Sequence, residues 1–242
     1  MNLVIDVGNT YIKLAVFKKH SLLFREVVEE TKVVDTIKSI KKKYKLIEQA
    51  IVSSVVNLNK DIIEYLNDSF KVLELNSETK LPFTNNYKTP KTLGVDRIAL
   101  VSASVYHYPE NNVLIIDAGS CITYEFVNTE NEYYGGAISP GIRMRYKALH
   151  NLTANLPLLE TEIPNSIVGN TTENSIHSGV IYGVLNEIDG VIVNYKEKYS
   201  DLTVILTGGD ANFLSKQLKS SIFANSNFLL EGLNHILQFN SD

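Results

Sequence analysis

The sequence predicts an α/β protein of two tandem domains, each a mixed sheet flanked by helices, with an interdomain cleft. Three observations carry that expectation. A glycine-containing hairpin at the start of the chain has a near-copy about half a chain later. After each copy, helical patterns alternate with apolar strand-like runs, the order that gives a sheet antiparallel at first, parallel later and covered by helices. Between the copies, Glu110-Asn111-Asn112 is the best boundary, which sets domains at 1–110 and 111–242.

The elements follow in order. Asn2-Leu3-Val4-Ile5 is an apolar run, Asp6-Val7-Gly8-Asn9-Thr10 turns, and Tyr11 to Phe17 runs out as a second strand. Strands are expected near 2–7, 11–17 and 21–28. Val33, Val34, Ile37, Ile40 and Tyr44 recur at helical spacing and predict a helix over 33–44. A buried strand follows at Ala50 to Ser53, then a helix near 59–68 through Ile62, Ile63 and Leu66, then a short strand at 71–75. Asn76 to Leu93 reads as a polar loop with Pro82 and Pro90, long enough to suggest a binding loop. Gly94 opens a helix that ends before Pro109.

In the second half, Val113 to Ile116 leads into Asp117-Ala118-Gly119-Ser120, and Cys121 to Val127 leads out. Strands near 113–117, 121–128 and 133–138 precede a helix near 142–150. A long helical stretch near 172–199 contains the turn-friendly pair Asp189-Gly190. A strand at 202–206, a helix near 210–218 and a closing helix near 228–239 complete the chain.

Composition narrows the function classes. Hydrophobic residues make up 44% and charged residues 21% of 242 residues, the balance of a globular protein with a full core. The net charge of -4 argues against a broad nucleic-acid surface. The one basic cluster, Lys38, Lys41, Lys42, Lys43 and Lys45, reads as the solvated face and end of a helix. Cys121 is the only cysteine, so no internal disulfide forms, and a buried, inert thiol in a reducing cytoplasm is expected. No signal-peptide layout and no apolar run of about 18–20 residues is seen, so a membrane is not an expected partner. The five histidines are scattered without metal-ligand spacing, and neither a P-loop nor a dinucleotide fingerprint occurs.

What remains is a set of glycine-flanked polar clusters at strand ends. Asp6 supplies an oxygen for a magnesium ion, which uses one or two carboxylates, and Gly8 lets backbone N–H groups approach an anion. Asp117 to Ser120 repeats the pattern. Gly135-Gly136 and Pro140-Gly141 bracket Ala137-Ile138-Ser139, and Thr207-Gly208-Gly209-Asp210 lies where a strand gives way to a helix. Each alone is often a plain turn.

In order, these clusters resemble the acetate and sugar kinase, heat-shock chaperone ATPase and actin superfamily. Within it they resemble the type III pantothenate kinases. The resemblance rests on Asp6-Val7-Gly8-Asn9-Thr10-x-x-Lys13, Gly94-Val95-Asp96-Arg97, Asp117-Ala118-Gly119-Ser120, Gly135 to Gly141 and Thr207-Gly208-Gly209. The stretch from Tyr87 through Pro90 to Arg97 sets the group apart from sugar kinases. Ser120 stands where the pattern usually has threonine, which keeps the hydroxyl and loses a methyl.

The resemblance implies two ribonuclease H-like (actin-like) domains. The N-terminal one holds the first phosphate loop and the substrate loop, and the C-terminal one holds the second phosphate loop and an adenosine loop. It implies ATP-dependent phosphorylation of pantothenate to 4′-phosphopantothenate, the first step toward coenzyme A. Asp96 is then the proton acceptor. Asp6, Val7, Gly8, Asn9, Thr10, Tyr11, Ile12, Lys13 and Ser120 meet ATP with magnesium. Tyr87, Gly94, Val95, Asp96, Arg97 and Thr172 meet pantothenate, and Asp117 binds a monovalent cation, potassium or ammonium. A cytoplasmic homodimer, with substrate near the subunit boundary, is also implied. Another small-molecule kinase and a non-catalytic nucleotide-binding regulator are the alternatives; Tyr87 to Arg97 weighs against the first, and the presence of Asp6 and Asp96 against the second.

Overall fold

The computed structural model describes residues 1–8, 11–56 and 59–241. Asn9 and Thr10, both expected at ATP, lie outside the described residues. The chain folds as two compact units, each holding a mixed sheet with helices. The first comprises Met1–Pro109, Asn131–Tyr134 and Asn227–Asp242, and the second Glu110–Glu130 and Gly135–Ser226. The units therefore do not follow a single cut after residue 110, because later segments are held by contacts with the first unit.

In the first unit, β1 (Asn2–Val7), β2 (Ile12–Lys18) and β3 (Ser21–Val28) form a meander. β4 (Gln49–Ser54) and β5 (Lys71–Glu74) then add in parallel, giving the order β3-β2-β1-β4-β5. Strand alternation sends Leu3, Ile5 and Val7 to one face. There they pack with Ile37 and Ile40 of α1 (Val33–Lys43) and with Ile62 and Leu66 of α2 (Lys60–Ser69). The lysines of α1 close its last turn, as a helix C-terminus favours. Asn59 caps α2 by accepting from the Asp61 N–H at 3.0 Å.

Other helices of the same unit are α3 (Val95–His107) and α7 (Phe228–Phe239). They pack against each other, and both reach β4. At Gly232 of α7 a Cβ would strike the Ala99 carbonyl of α3, so the missing side chain sets how close the two helices lie. The loop from 76 to 93 is not wholly irregular. It contains a two-residue strand, β6 (Thr84–Asn85), whose partners are Glu132 and Tyr133, and a short 3-10 turn at Pro90–Thr92.

In the second unit, β7 (Val113–Ala118) pairs antiparallel with β8 (Cys121–Val127), and β9 (Glu132–Pro140) continues from the first unit. β10 (Thr203–Thr207) and β11 (Phe223–Ala224) lie parallel on the other side, giving, with the short β6 at the far edge, the order β11-β10-β7-β8-β9-β6. Leu114, Ile116 and Ile122 pack with α4 (Ile142–Asn151), α5 (Thr172–Lys198) and α6 (Ala211–Leu214). Cys121 is only half-buried, more open than expected.

The long helix expected near 172–199 is present, uninterrupted by its turn-friendly pair Asp189-Gly190, while the helix expected near 210–218 needs correction. Asp189 sits inside unbroken α5, and its carboxylate accepts from the Ser220 N–H at 3.1 Å and the Ser220 hydroxyl at 2.7 Å. α6 stops at Leu214 instead of running to 218. After a last turn, in which the Leu218 N–H donates to the Leu214 carbonyl, the chain meets Asp189. By length and composition α5 is also apolar enough to cross a membrane, which the sequence pattern did not lead one to expect; half of its most apolar window is buried.

Candidate active site

Parallel strands gather functional groups at their C-terminal ends, and Asp6 is the next-to-last residue of β1. Antiparallel register sets Asp6 opposite Lys13 on β2, and parallel register sets it beside Ser53 on β4. The three side chains therefore share one face of the sheet in one row. Lys13 Nζ donates to Asp6 Oδ2 at 2.9 Å. Asp6 is only 6% exposed. Burial pushes its carboxyl above the usual range despite the opposing pull of Lys13, and the charge of Asp96 raises it a little further. Ser53 is 1% exposed, and its hydroxyl has no hydrogen-bond partner among the described residues.

Asp96 lies in the first turn of α3, where a carboxylate is favoured by the helix dipole. Its Oδ1 accepts from the Arg97 N–H at 2.9 Å. Gly94, just before the helix, leaves room for that carboxylate, since a Cβ there would strike Asp96 Oδ1. Arg97 is buried, and its guanidinium lies over the Tyr87 ring, 5.4 Å from the centroid. Tyr87 in turn stacks on Tyr133 at 6.2 Å. The Asn86 N–H donates to the Tyr133 carbonyl at 2.8 Å, so the pairing of β6 with β9 anchors the Tyr87 loop.

The first unit thus unites Asp6, Lys13, Asp96, Arg97 and Tyr87, all expected from sequence, and adds Ser53, which was not. No sequence signal marks Ser53, because only strand register sets it beside Asp6. Tyr11 is exposed, while Val7 and Ile12 are buried in the apolar core, so any part they take is through the backbone. The Gly8 N–H donates to the Tyr11 carbonyl at 3.1 Å.

In the second unit, Asp117 near the end of β7 is half-buried and stands opposite Thr123, while Ser120 is exposed in the turn. The Asp210 N–H donates to the Ala118 carbonyl at 2.9 Å, and the Gly141 N–H to the Ser120 carbonyl at 3.1 Å. Three loops therefore meet around the Asp117 turn. Burial pushes the Asp210 carboxyl up, against the pull of Arg143. Thr172 is exposed at the start of α5 and borders a cavity of about 1020 Å³, with Arg145, Leu149, Leu156, Thr171 and Ile176 among its lining residues. Arg145 reaches Glu187 at 2.5 Å and the Pro140 carbonyl at 3.0 Å. Burial alone would raise the Glu187 carboxyl, but hydrogen bonds from Arg145, Ser139 and Tyr124 bring it below its usual range. Sequence reasoning missed Arg145 and Glu187, which only the fold brings together.

Among the described residues no three His, Cys, Asp or Glu side chains cluster as a ready-made metal cage. Magnesium does not need one: it keeps several waters and takes one or two carboxylates together with phosphate oxygens. A buried, strand-end carboxylate near a second carboxylate, with an orphaned hydroxyl in the same row, fits a hydrated divalent cation.

The model of the type III pantothenate kinase family matches residues 2–194. A type III pantothenate kinase of Christiangramia forsetii is 52% identical over 240 residues, 99% of each chain. One of Bacteroides fragilis is 45% identical over 242 residues, 100% of this chain and 99% of the other. Among solved structures, a Baf family transcriptional activator from Campylobacter jejuni aligns with TM-score 0.62 and 20% identity over 99% of this chain and 98% of its own. A glucokinase from an Antarctic psychrotroph aligns with TM-score 0.55 and 11% identity, covering 99% of each. At such identities the structural likenesses speak to the fold, which is the actin-like one of the sugar kinases.

Proposed function

The chain belongs to the type III pantothenate kinase family, and we propose that Asp96 is its proton acceptor, with Asp6 on the side of the divalent cation. The family's reaction is the ATP-dependent phosphorylation of pantothenate in coenzyme A biosynthesis. ATP and a divalent cation come with kinase chemistry.

A carboxylate is far too weak a base to ionise an alcohol in advance. In phosphoryl transfer the transition state is loose and the hydroxyl proton is released late. Asp96 therefore needs only to orient the pantothenate hydroxyl and receive its proton as the new P–O bond forms. The observation that carries this reading is the placement of buried Asp6 at the end of β1, bonded by Lys13, in a sheet whose strand β4 also meets α3, the helix with Asp96 in its first turn. That placement supports an acceptor on the side of the group that would hold the cation, and the cation, when bound, would neutralise triphosphate charge. Lys13, paired with Asp6, adds a second positive charge for the phosphates. Arg97, whose guanidinium lies over Tyr87, brings a positive charge suited to the pantothenate carboxylate. Gly94 and Val95 shape the same helix start, and Thr172, bordering the large cavity, would meet substrate as well.

Tyr11, with the backbone of Val7, Gly8 and Ile12, and exposed Ser120 would contact ATP. Asp117 would hold potassium or ammonium near the second phosphate loop. A homodimer working in the cytoplasm, with neither nucleic acid nor membrane as partner, completes the reading.

With ATP, magnesium and potassium, the purified protein should convert pantothenate to its phosphate. Asp96→Asn should lower kcat by about 10²–10⁴-fold while ATP affinity stays within about threefold. Unchanged turnover in that variant would remove Asp96 from the chemistry.

A further inference from the structure

Ser53 is a costly residue for its buried place in β4. Its hydroxyl is buried and has no hydrogen-bond partner among the described residues. A buried polar group left in that condition destabilises the fold. Alanine would fill the same space in β4 without that cost. Ser53 is also specifically placed. Parallel register sets it next to Asp6, on the face that carries Lys13, and α3, the helix that bears Asp96, packs on the same strand. On the other side of Asp6, Lys13 already bonds the carboxylate. The row thus reads cation, carboxylate, unused hydroxyl. Magnesium holds on to most of its water, and metal-bound water is a strong hydrogen-bond donor that needs acceptors.

We propose that Ser53 is a positioning residue of the divalent-cation site, its hydroxyl oxygen accepting a hydrogen bond from water carried by the cation that Asp6 holds. The hydroxyl, which no described protein group engages, would gain a partner in that water. This rests on the reading of Asp6 given above, so the test separates the two.

Full-length wild type, Ser53→Ala, Ser53→Thr and Asp6→Asn are melted without metal or nucleotide, then with ATP while magnesium is titrated, and with ATP plus a chelator. Ser53→Ala should melt about 2–4 °C higher than wild type when empty. Its half-saturating magnesium should rise about two- to tenfold, one hydrogen bond's worth. The shift from ATP plus chelator should be unchanged. Ser53→Thr, which keeps the hydroxyl, should titrate closer to wild type than Ser53→Ala does. A wild-type magnesium titration in Ser53→Ala overturns the proposal, whatever its melting point. If Asp6→Asn is weakened while Ser53→Ala is not, Ser53 alone falls. If Asp6→Asn also titrates like wild type, both assignments fall together.

Discussion

Gly208 and Asp117 approach so closely that there is no room for a methyl group. Gly208 has φ of 95°, and a Cβ there would strike both the Asp117 carboxylate and the Ala118 carbonyl. The residue after β10 thus fixes where the Asp117 side chain can lie. Gly208→Ala should cost about 1–3 kcal/mol in urea unfolding and raise the potassium needed for half-maximal turnover. A variant as stable and as potassium-responsive as wild type would show that this contact does not position Asp117. At this scale legibility was uneven. Asp6 and Asp117 could be read because an Asp with a Gly two residues later, at the end of an apolar run, is a local pattern. Ser53, Arg145 and Glu187 could not, because their partners come from register or from helices far away in the sequence.

Between single residues and the whole molecule lies the α3–α7 pair, where three of the histidines collect around one tyrosine. His20 stacks on Tyr106 at 4.7 Å, and His235 of α7 lies 4.8 Å from the same ring. His107 of α3 bonds Glu231 of α7 at 2.8 Å. Burial pushes His235 below its ordinary 6.5, and the neighbouring His20 and His107 push it further. For a base whose folded-state pKa is depressed, the unfolded chain takes up protons first. Stability is therefore full above about pH 6.5 and declines as the pH falls from there toward the depressed value. His235→Phe keeps the ring contact with Tyr106 and removes that titration. Its melting temperature should fall less than that of wild type between about pH 6.5 and 5; parallel curves would show that His235 does not drive the loss. Elements with strong periodicity were legible here: α1 spans Val33–Lys43 against an expected 33–44, and α7 spans Phe228–Phe239 as expected. β6 and β11 were not, since two-residue strands have no period and exist only through pairing with distant partners.

For the whole molecule, the two-sheet α/β plan was visible in the repeated hairpin, because each copy starts a sheet in the same way: Asp6 opposite Lys13 in one, Asp117 opposite Thr123 in the other. The membership of each unit was less visible, since α7 follows the second unit in sequence but packs with the first. The dimer expectation belongs to this scale as well. Light scattering should give twice the chain mass of 27.1 kDa, and a stable, active monomer would refute it.

The late position of α7 has a consequence for biosynthesis. During translation the strand bearing Asp6 and the helix bearing Asp96 leave the ribosome early, but the helix that packs on Asp96's own is made only after the entire second unit. The part of the enzyme expected to do the chemistry is begun first and matures last, so a nascent chain stalled anywhere in the second unit would be catalytically silent.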